Sequence, residues 1–307
     1  MTEWWEVLRA HFPLLDRRAY FFAGAQAPLA DDVRAVLEAF VDLWENKVWR
    51  MEETEWQAFD EVQRVLSSIL ECEASRIIPA EGTSHALNLA TAMVLAAWRR
   101  DGQKRANVVI HHEAHPASSF PWLNATRSGA TLEIRWSEPD PGEDLTRSLI
   151  EAIDEQTLAV VVTHVSHTSG SRVDVAGLAR RFPDRPWSLM LDAAQSAGAL
   201  RIAEEVALCD FVAFPSYKWL FGPPGVGFLV ASTDWIDRVG PPLVGWASVR
   251  DPLRMDAKNL DLAPSATGFR LGMPNFAGIA AGAAALGSLS KPGPRASRNA
   301  SLISRIG

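Results

Sequence analysis

Over the N-terminal quarter of the chain, apolar residues recur at the three-and-four spacing of one helix face. Trp4, Trp5, Val7, Leu8, Phe12 and Leu15 predict an amphipathic helix over residues 1–17. Tyr20-Phe21-Phe22 reads as a short extended piece before a turn ending at Pro28. Asp31 or Asp32 caps a second predicted helix, which runs to Glu45 on Val33, Val36, Leu37, Phe40, Val41 and Leu43. A third is expected over residues 53–70. From Arg76 the rhythm changes to strand, turn, helix. Short apolar runs at 77–80, 108–110, 131–135, 158–163, 188–191, 211–214 and 227–230 read as strands. Helical patterns fall at 85–99, around Trp122, and at 146–154 and 175–181. This alternation predicts an α/β fold, a mostly parallel sheet with helices on both faces in three layers. After Asp234 the pattern loosens, apart from an Ala/Gly-rich helix over 276–289.

Composition narrows the function classes. The chain has 307 residues, is 48% hydrophobic, and carries a net charge of −7. That charge offers no general attraction to nucleic acid or anionic lipid. No apolar run approaches the ~18 residues of a membrane span, and the N-terminus lacks the basic, then apolar, profile of a signal peptide. Two cysteines, Cys72 and Cys209, make no disulfide framework and fit a reducing cytoplasm. The segment 291–307 has basic residues, no acids and few bulky apolar ones, so poor order is expected there.

The candidate chemistry follows the predicted strands, where open α/β sheets bind ligands. Asp192 ends an apolar run, and Lys218 lies among Phe214, Tyr217, Trp219 and Phe221 before a Gly/Pro turn. Desolvation favours the free amine of such a lysine, the form that attacks a carbonyl. An acid on a neighbouring strand end suits a protonated pyridine nitrogen. The plainer alternatives are a helix-capping aspartate and a snorkelling lysine. Gly82-Thr83-Ser84, between a strand and a helix, suits an anion and equally suits an ordinary cap. His111, His112, His115, His164 and His167 all follow strands. They raise a metal-dependent hydrolase as a rival, although His112 and His115 lack the spacing of a zinc-protease helix.

Taken together, these residues resemble the class V aminotransferase-fold enzymes, which use pyridoxal phosphate and include cysteine desulfurases, kynureninases and isopenicillin-epimerase-like proteins. The anchors are Gly82-Thr83-Ser84 with Ala86-Leu87-Asn88, and His115 ahead of Pro121-Trp122. Thr163-His164-Val165-Ser166-His167, Asp192-x-Ala194-Gln195, and Lys218 with Gly222-Pro223-x-Gly225-x-Gly227 complete the core set. Phe269-Arg270-x-Gly272-x-Pro274-Asn275 adds a further element. The resemblance implies fold type I and a homodimer. It implies that Lys218 carries the cofactor and shuttles the Cα proton, Asp192 pairs with the pyridinium, and His115 stacks on the ring. Gln195, with His167, would contact the ring hydroxyl. Gly82, Thr83, Ser84 and Ser216 would hold phosphate. Arg270 and Asn275 would meet the substrate, a small amino acid or amine undergoing transamination, elimination or epimerisation.

Four positions depart from the family pattern. Tyr217 stands where histidine often precedes the lysine, and Pro215 where a hydroxyl residue is common. His167 replaces an asparagine, and Met273 a threonine that reaches the neighbouring subunit. Neither cysteine matches the desulfurase nucleophile, which disfavours a desulfurase. The family-like pattern stops near Leu289, where relatives continue for about another hundred residues, the scale of a second domain. The expectation is therefore a shortened chain: an N-terminal helical segment (1–45), a large cofactor-binding domain (46–235) and a partial small domain (236–307). A catalytically impaired remnant that serves only to bind cofactor or dimerise is the alternative.

Overall fold

The computed structural model describes residues 4–47, 51–102, 104–139 and 144–290. The expected C-terminal tail lies outside them. Two compact units are built from interleaved segments. One comprises residues 1–74, 215–226 and 273–307, the other 75–214 and 227–272.

The first unit is helical, with α1 (Trp4–Arg9), α2 (Asp31–Asn46), α3 (Met51–Leu70) and, from the far end of the chain, α10 (Phe276–Ser290). The helix expected over 1–17 is broken. Pro13 opens a separate 3-10 turn, Pro13–Asp16, because its ring removes a donor and clashes with the preceding turn. Asp31 and Asp32 lie in the first turn of α2, where the helix dipole favours acids. Val33 and Val36 of α2, Ala58 of α3 and Ala280, Ala281, Ala284 and Ala285 of α10 form one buried cluster with Phe12. The alanines let α10 approach its neighbours closely.

The second unit carries the sheet: β1 (Ile77–Ala80), β2 (Asn107–His111), β3 (Glu133–Ser137), β4 (Thr157–Thr163), β5 (Ser188–Asp192), β6 (Phe211–Pro215) and β7 (Gly227–Ala231). Their order is β1-β7-β6-β5-β4-β2-β3. The β2–β3, β2–β4, β4–β5 and β5–β6 pairs are parallel, and β1–β7 is antiparallel. β2, β5, β6 and β7 are buried at every position, as parallel strands covered on both faces should be. β3, at one edge, places Glu133 and Arg135 among its residues, the charged habit of an edge strand. It lies two residues later than the apolar run suggested.

The connecting helices are α4 (Thr83–Arg100), α5 (Pro116–Arg127), α6 (Leu145–Ala152), α7 (Val175–Arg181), α8 (Ala203–Leu208) and α9 (Thr233–Val239). α4 buries Ala86, Ala90, Met93, Val94 and Ala97 at helical spacing and ends on Arg99 and Arg100, which suit the dipole. α8 and α9, of six and seven residues, are not among the helices expected from the sequence. The strand order fixes where a ligand belongs. From β2 the chain moves outward to β3, then returns to β4 on the other side and proceeds to β5 and β6. The reversal makes the carboxyl ends of β2 and β4 a topological switch point.

Candidate active site

Asp192 is the last residue of β5 and is 1% exposed. A buried carboxylate needs donors to remain ionised. Its Oδ1 accepts the Ala194 N–H at 2.9 Å, in the turn that leaves the strand. Its Oδ2 accepts the Ser118 hydroxyl at 3.1 Å. Ser118 lies in the first turn of α5, and its Oγ is also 3.2 Å from Thr163 Oγ1, at the end of β4. Thr163 Oγ1 accepts the His115 N–H at 3.1 Å. Ser118 has one proton, and it goes to Asp192, so Thr163 must donate to Ser118. Two strand ends and one helix start therefore meet in one directed chain of donors at the switch point.

His115 caps α5. Its Nδ1 accepts the Ala117 N–H at 3.1 Å, and Pro116 at the first helical position suits that start. The ring proton is thereby assigned to Nε2. The His167 ring meets it edge-on, with centroids 5.1 Å apart at 76°. Gln195 lies in the same turn as Ala194.

Gly82 is the N-cap residue of α4, and no side chain caps that end. The helix therefore begins with free N–H groups, which favour an anion. Thr83 Oγ1 is buried there with no hydrogen-bond partner among the described residues. A Cβ on Gly227 would stand 2.5 Å from Gly82 Cα, so these two backbones touch. Ser84 is exposed at the helix start.

Ser216 and Lys218 belong to the helical unit, in the loop that follows β6. Ser216 is buried and its hydroxyl donates to the Pro223 carbonyl at 2.7 Å. The loop closes tightly: Gly222 N–H reaches Ser216 O at 2.9 Å, and a Cβ on Gly222 would lie 2.7 Å from Ser216 Cβ. Tyr217 O accepts the Ala27 N–H at 2.8 Å, and Lys218 is half-buried. Asn275 caps α10, its Oδ1 accepting the Gly278 N–H at 3.0 Å. Arg270 ends a 3-10 turn, and its carbonyl accepts the Ser248 hydroxyl at 2.8 Å.

The five histidines do not act together. His111 is fully buried, and its Nε2 accepts the Thr163 N–H at 3.0 Å. Burial pushes it down to about 4, against the opposing backbone bond. His164 is also fully buried, with Nδ1 3.0 Å from Ser196 Oγ and Nε2 accepting from Arg172 Nε at 3.1 Å. Burial lowers it to about 4 although Glu205 pulls the other way. His112 faces Glu113 at 3.8 Å. The Ser166 and Ser169 hydroxyls hold Glu113 below the usual carboxylate range. Among the described residues no three His, Cys, Asp or Glu side chains gather as a metal ion requires. Cys209 is fully buried, and desolvation pushes its thiol up, well above the range in which a thiolate forms.

A model of the family described as aminotransferase class-V matches residues 19–302. The chain belongs to this family. It is a fold-type I, pyridoxal-phosphate-dependent enzyme of the aminotransferase and lyase type. A probable cysteine desulfurase of Methanothermobacter thermautotrophicus is 29% identical over 295 residues, covering 94% of this chain and 71% of that protein. The apo cysteine desulfurase of Thermococcus onnurineus NA1 superimposes with a TM-score of 0.80 at 24% identity, over 94% of this chain and 72% of that one. A cystine C–S lyase, C-DES, solved with its product cysteine persulfide, gives 0.79 at 20% identity, over 92% and 74%. These two structures support the fold. The chain thus spans about 70% of the length of such proteins.

The residues fit the cofactor. Thr83 Oγ1 is a buried polar atom at the uncapped start of α4, as suits an anion, Asp192 is a buried carboxylate, and His115, which accepts at Nδ1, is joined to it through Thr163 and Ser118.

Proposed function

We propose that this chain cleaves the carbon–sulfur bond of a cysteine- or cystine-like amino acid by β-elimination, and that none of its own cysteines accepts the sulfur. The observation that carries this reading is the buried Asp192 at the end of β5, which accepts from Ala194 and from Ser118 in the hydrogen-bond chain that includes His115. Relatives named cysteine desulfurase support a C–S lyase among the family's reactions. The buried, protonated Cys209 argues against a protein persulfide there.

Bound pyridoxal phosphate supplies an electron sink for negative charge at the substrate Cα. Asp192 would pair with the ring nitrogen and favour its protonated form. His115 would stack on the ring and Gln195 would contact its hydroxyl. Gly82, Thr83 and Ser84 would hold the phosphate at the start of α4, with Ser216 once its hydroxyl turns from Pro223. Lys218 would hold the cofactor and take the Cα proton. The Cβ–Sγ bond breaks, the sulfur leaves with the bonding pair, and the three-carbon enamine hydrolyses to pyruvate and ammonia. Arg270 is the proposed contact for the substrate carboxylate. Asn275, already committed to capping α10, is the weaker of the two substrate assignments. We also propose a homodimer.

The test is product analysis with cystine and cysteine. Pyruvate and a small-molecule persulfide or sulfide should appear in equal amounts, and Cys209→Ala should leave kcat within about twofold, since the residue contributes only packing. Keto acid without sulfur release, racemisation, or a Cys209-linked persulfide would overturn the proposal.

A further inference from the structure

We infer that Ser118, backed by Thr163, is a positioning residue for Asp192, tuning the basicity of that carboxylate and tying it to the seat of the His115 ring. The inference rests on the assignment of Asp192 to the cofactor ring nitrogen given above.

The hydrogen-bond directions are fixed by counting protons. Asp192 can only accept, so the Ser118 hydroxyl donates to Oδ2. The oxygen of Ser118 is then free to accept, and Thr163 Oγ1 lies 3.2 Å away. Thr163 already accepts the His115 N–H, which leaves its own proton for Ser118. Ser118 is 1% exposed and Thr163 3%, so water does not substitute for either. A donor to a carboxylate favours its charged form, and more so where the surroundings are dry. Among its donors, Ala194 N–H is part of the backbone, whereas the Ser118 hydroxyl can be removed by substitution.

The same helical turn does a second job. His115 caps α5 and Ser118 stands one turn into it. His115 N–H and Ser118 Oγ both bond Thr163 Oγ1. The ring that would lie on the cofactor and the acid that would pair with it are thus referenced to one hydroxyl. The Ala117 N–H sets the His115 ring angle, and Ser118 sets the carboxylate plane.

Removing the Ser118 hydroxyl leaves Oδ2 with one donor fewer and makes the carboxylate more basic. The proton shared with a ring nitrogen then spends more time on Asp192. The bound cofactor becomes less electron-poor, and its pH-dependent visible band titrates at higher pH.

The experiment compares the wild-type chain with Ser118→Ala, Ser118→Thr and Thr163→Val, each loaded with pyridoxal phosphate. The visible band is titrated against pH and cofactor affinity is measured by fluorescence. Ser118→Ala should raise the titration midpoint by about one unit and weaken cofactor binding roughly tenfold. Ser118→Thr should restore most of both, and Thr163→Val should give a smaller shift in the same direction. A Ser118→Ala midpoint equal to wild type overturns the inference, as does a threonine variant no better than alanine. If Ser118→Ala does not fold, Ser118→Cys, a weaker donor, is judged by the same midpoint. A wild-type chain that binds no cofactor would instead sink the assignment of Asp192, a separate outcome.

Discussion

His111 and His164 are each locked as the neutral imidazole, one by accepting a strand N–H, the other between Ser196 and Arg172. In the unfolded chain both bind a proton near pH 6.5, in the folded chain only near 4. Their contribution to stability is therefore complete above 6.5 and is lost as pH falls toward 4. Each accounts for about 3 kcal/mol across that window, taking ~1.4 kcal/mol per unit. Urea midpoints measured from pH 7 to 4 should fall steeply, and a flat profile would contradict the assignment. At this scale the sequence reveals residue types better than residue duties. Asp192, Lys218 and His115 stand out because acid, amine and imidazole each follow a strand. Ser118 and Thr163 do not, because a hydroxyl after an apolar run suits too many roles. Their partnership spans 45 and 74 positions, and the strand order is needed to close such distances.

Strands and long helices are the elements that periodicity finds well. β4, β5, β6 and β7 differ from their apolar runs by a single residue, and α4 by a few. Short helices and proline-containing ones are harder. α5 was visible only around Trp122, since Pro121 masks a helix that begins at Pro116 on a histidine cap. Junctions between elements carry their own constraint. Gly227 opens β7 and a Cβ there would meet Gly82 Cα at 2.5 Å and Phe214 O at 2.9 Å. These are backbone atoms and cannot rotate away. Gly227→Ala should therefore cost about 3 kcal/mol, at the upper end for overpacking. By displacing Gly82 it should also weaken phosphate-dependent cofactor binding. A variant that melts like wild type and binds pyridoxal phosphate equally would show that the contact is slack. Asn275 has a structural duty that its motif does not reveal: its Oδ1 caps α10.

On the scale of the whole molecule, consecutive segments of sequence are a poor guide to compact units. The chain leaves the sheet unit at Pro215, passes through Lys218 in the helical unit and returns at Gly227. α10 joins α2 and α3 from the opposite end of the sequence. No periodicity shows such interleaving. The family match over residues 19–302 agrees with the resemblance drawn from the motifs. Among the described residues no helix is long and apolar enough to cross a membrane. The proposal that Lys218 carries the cofactor is the centre of the account. It is tested most directly by loading the purified chain with pyridoxal phosphate, reducing with borohydride, and mapping the modified peptide by mass spectrometry. The account predicts a single pyridoxyl adduct on Lys218, lost in Lys218→Ala. An adduct on another lysine, or none, would contradict it.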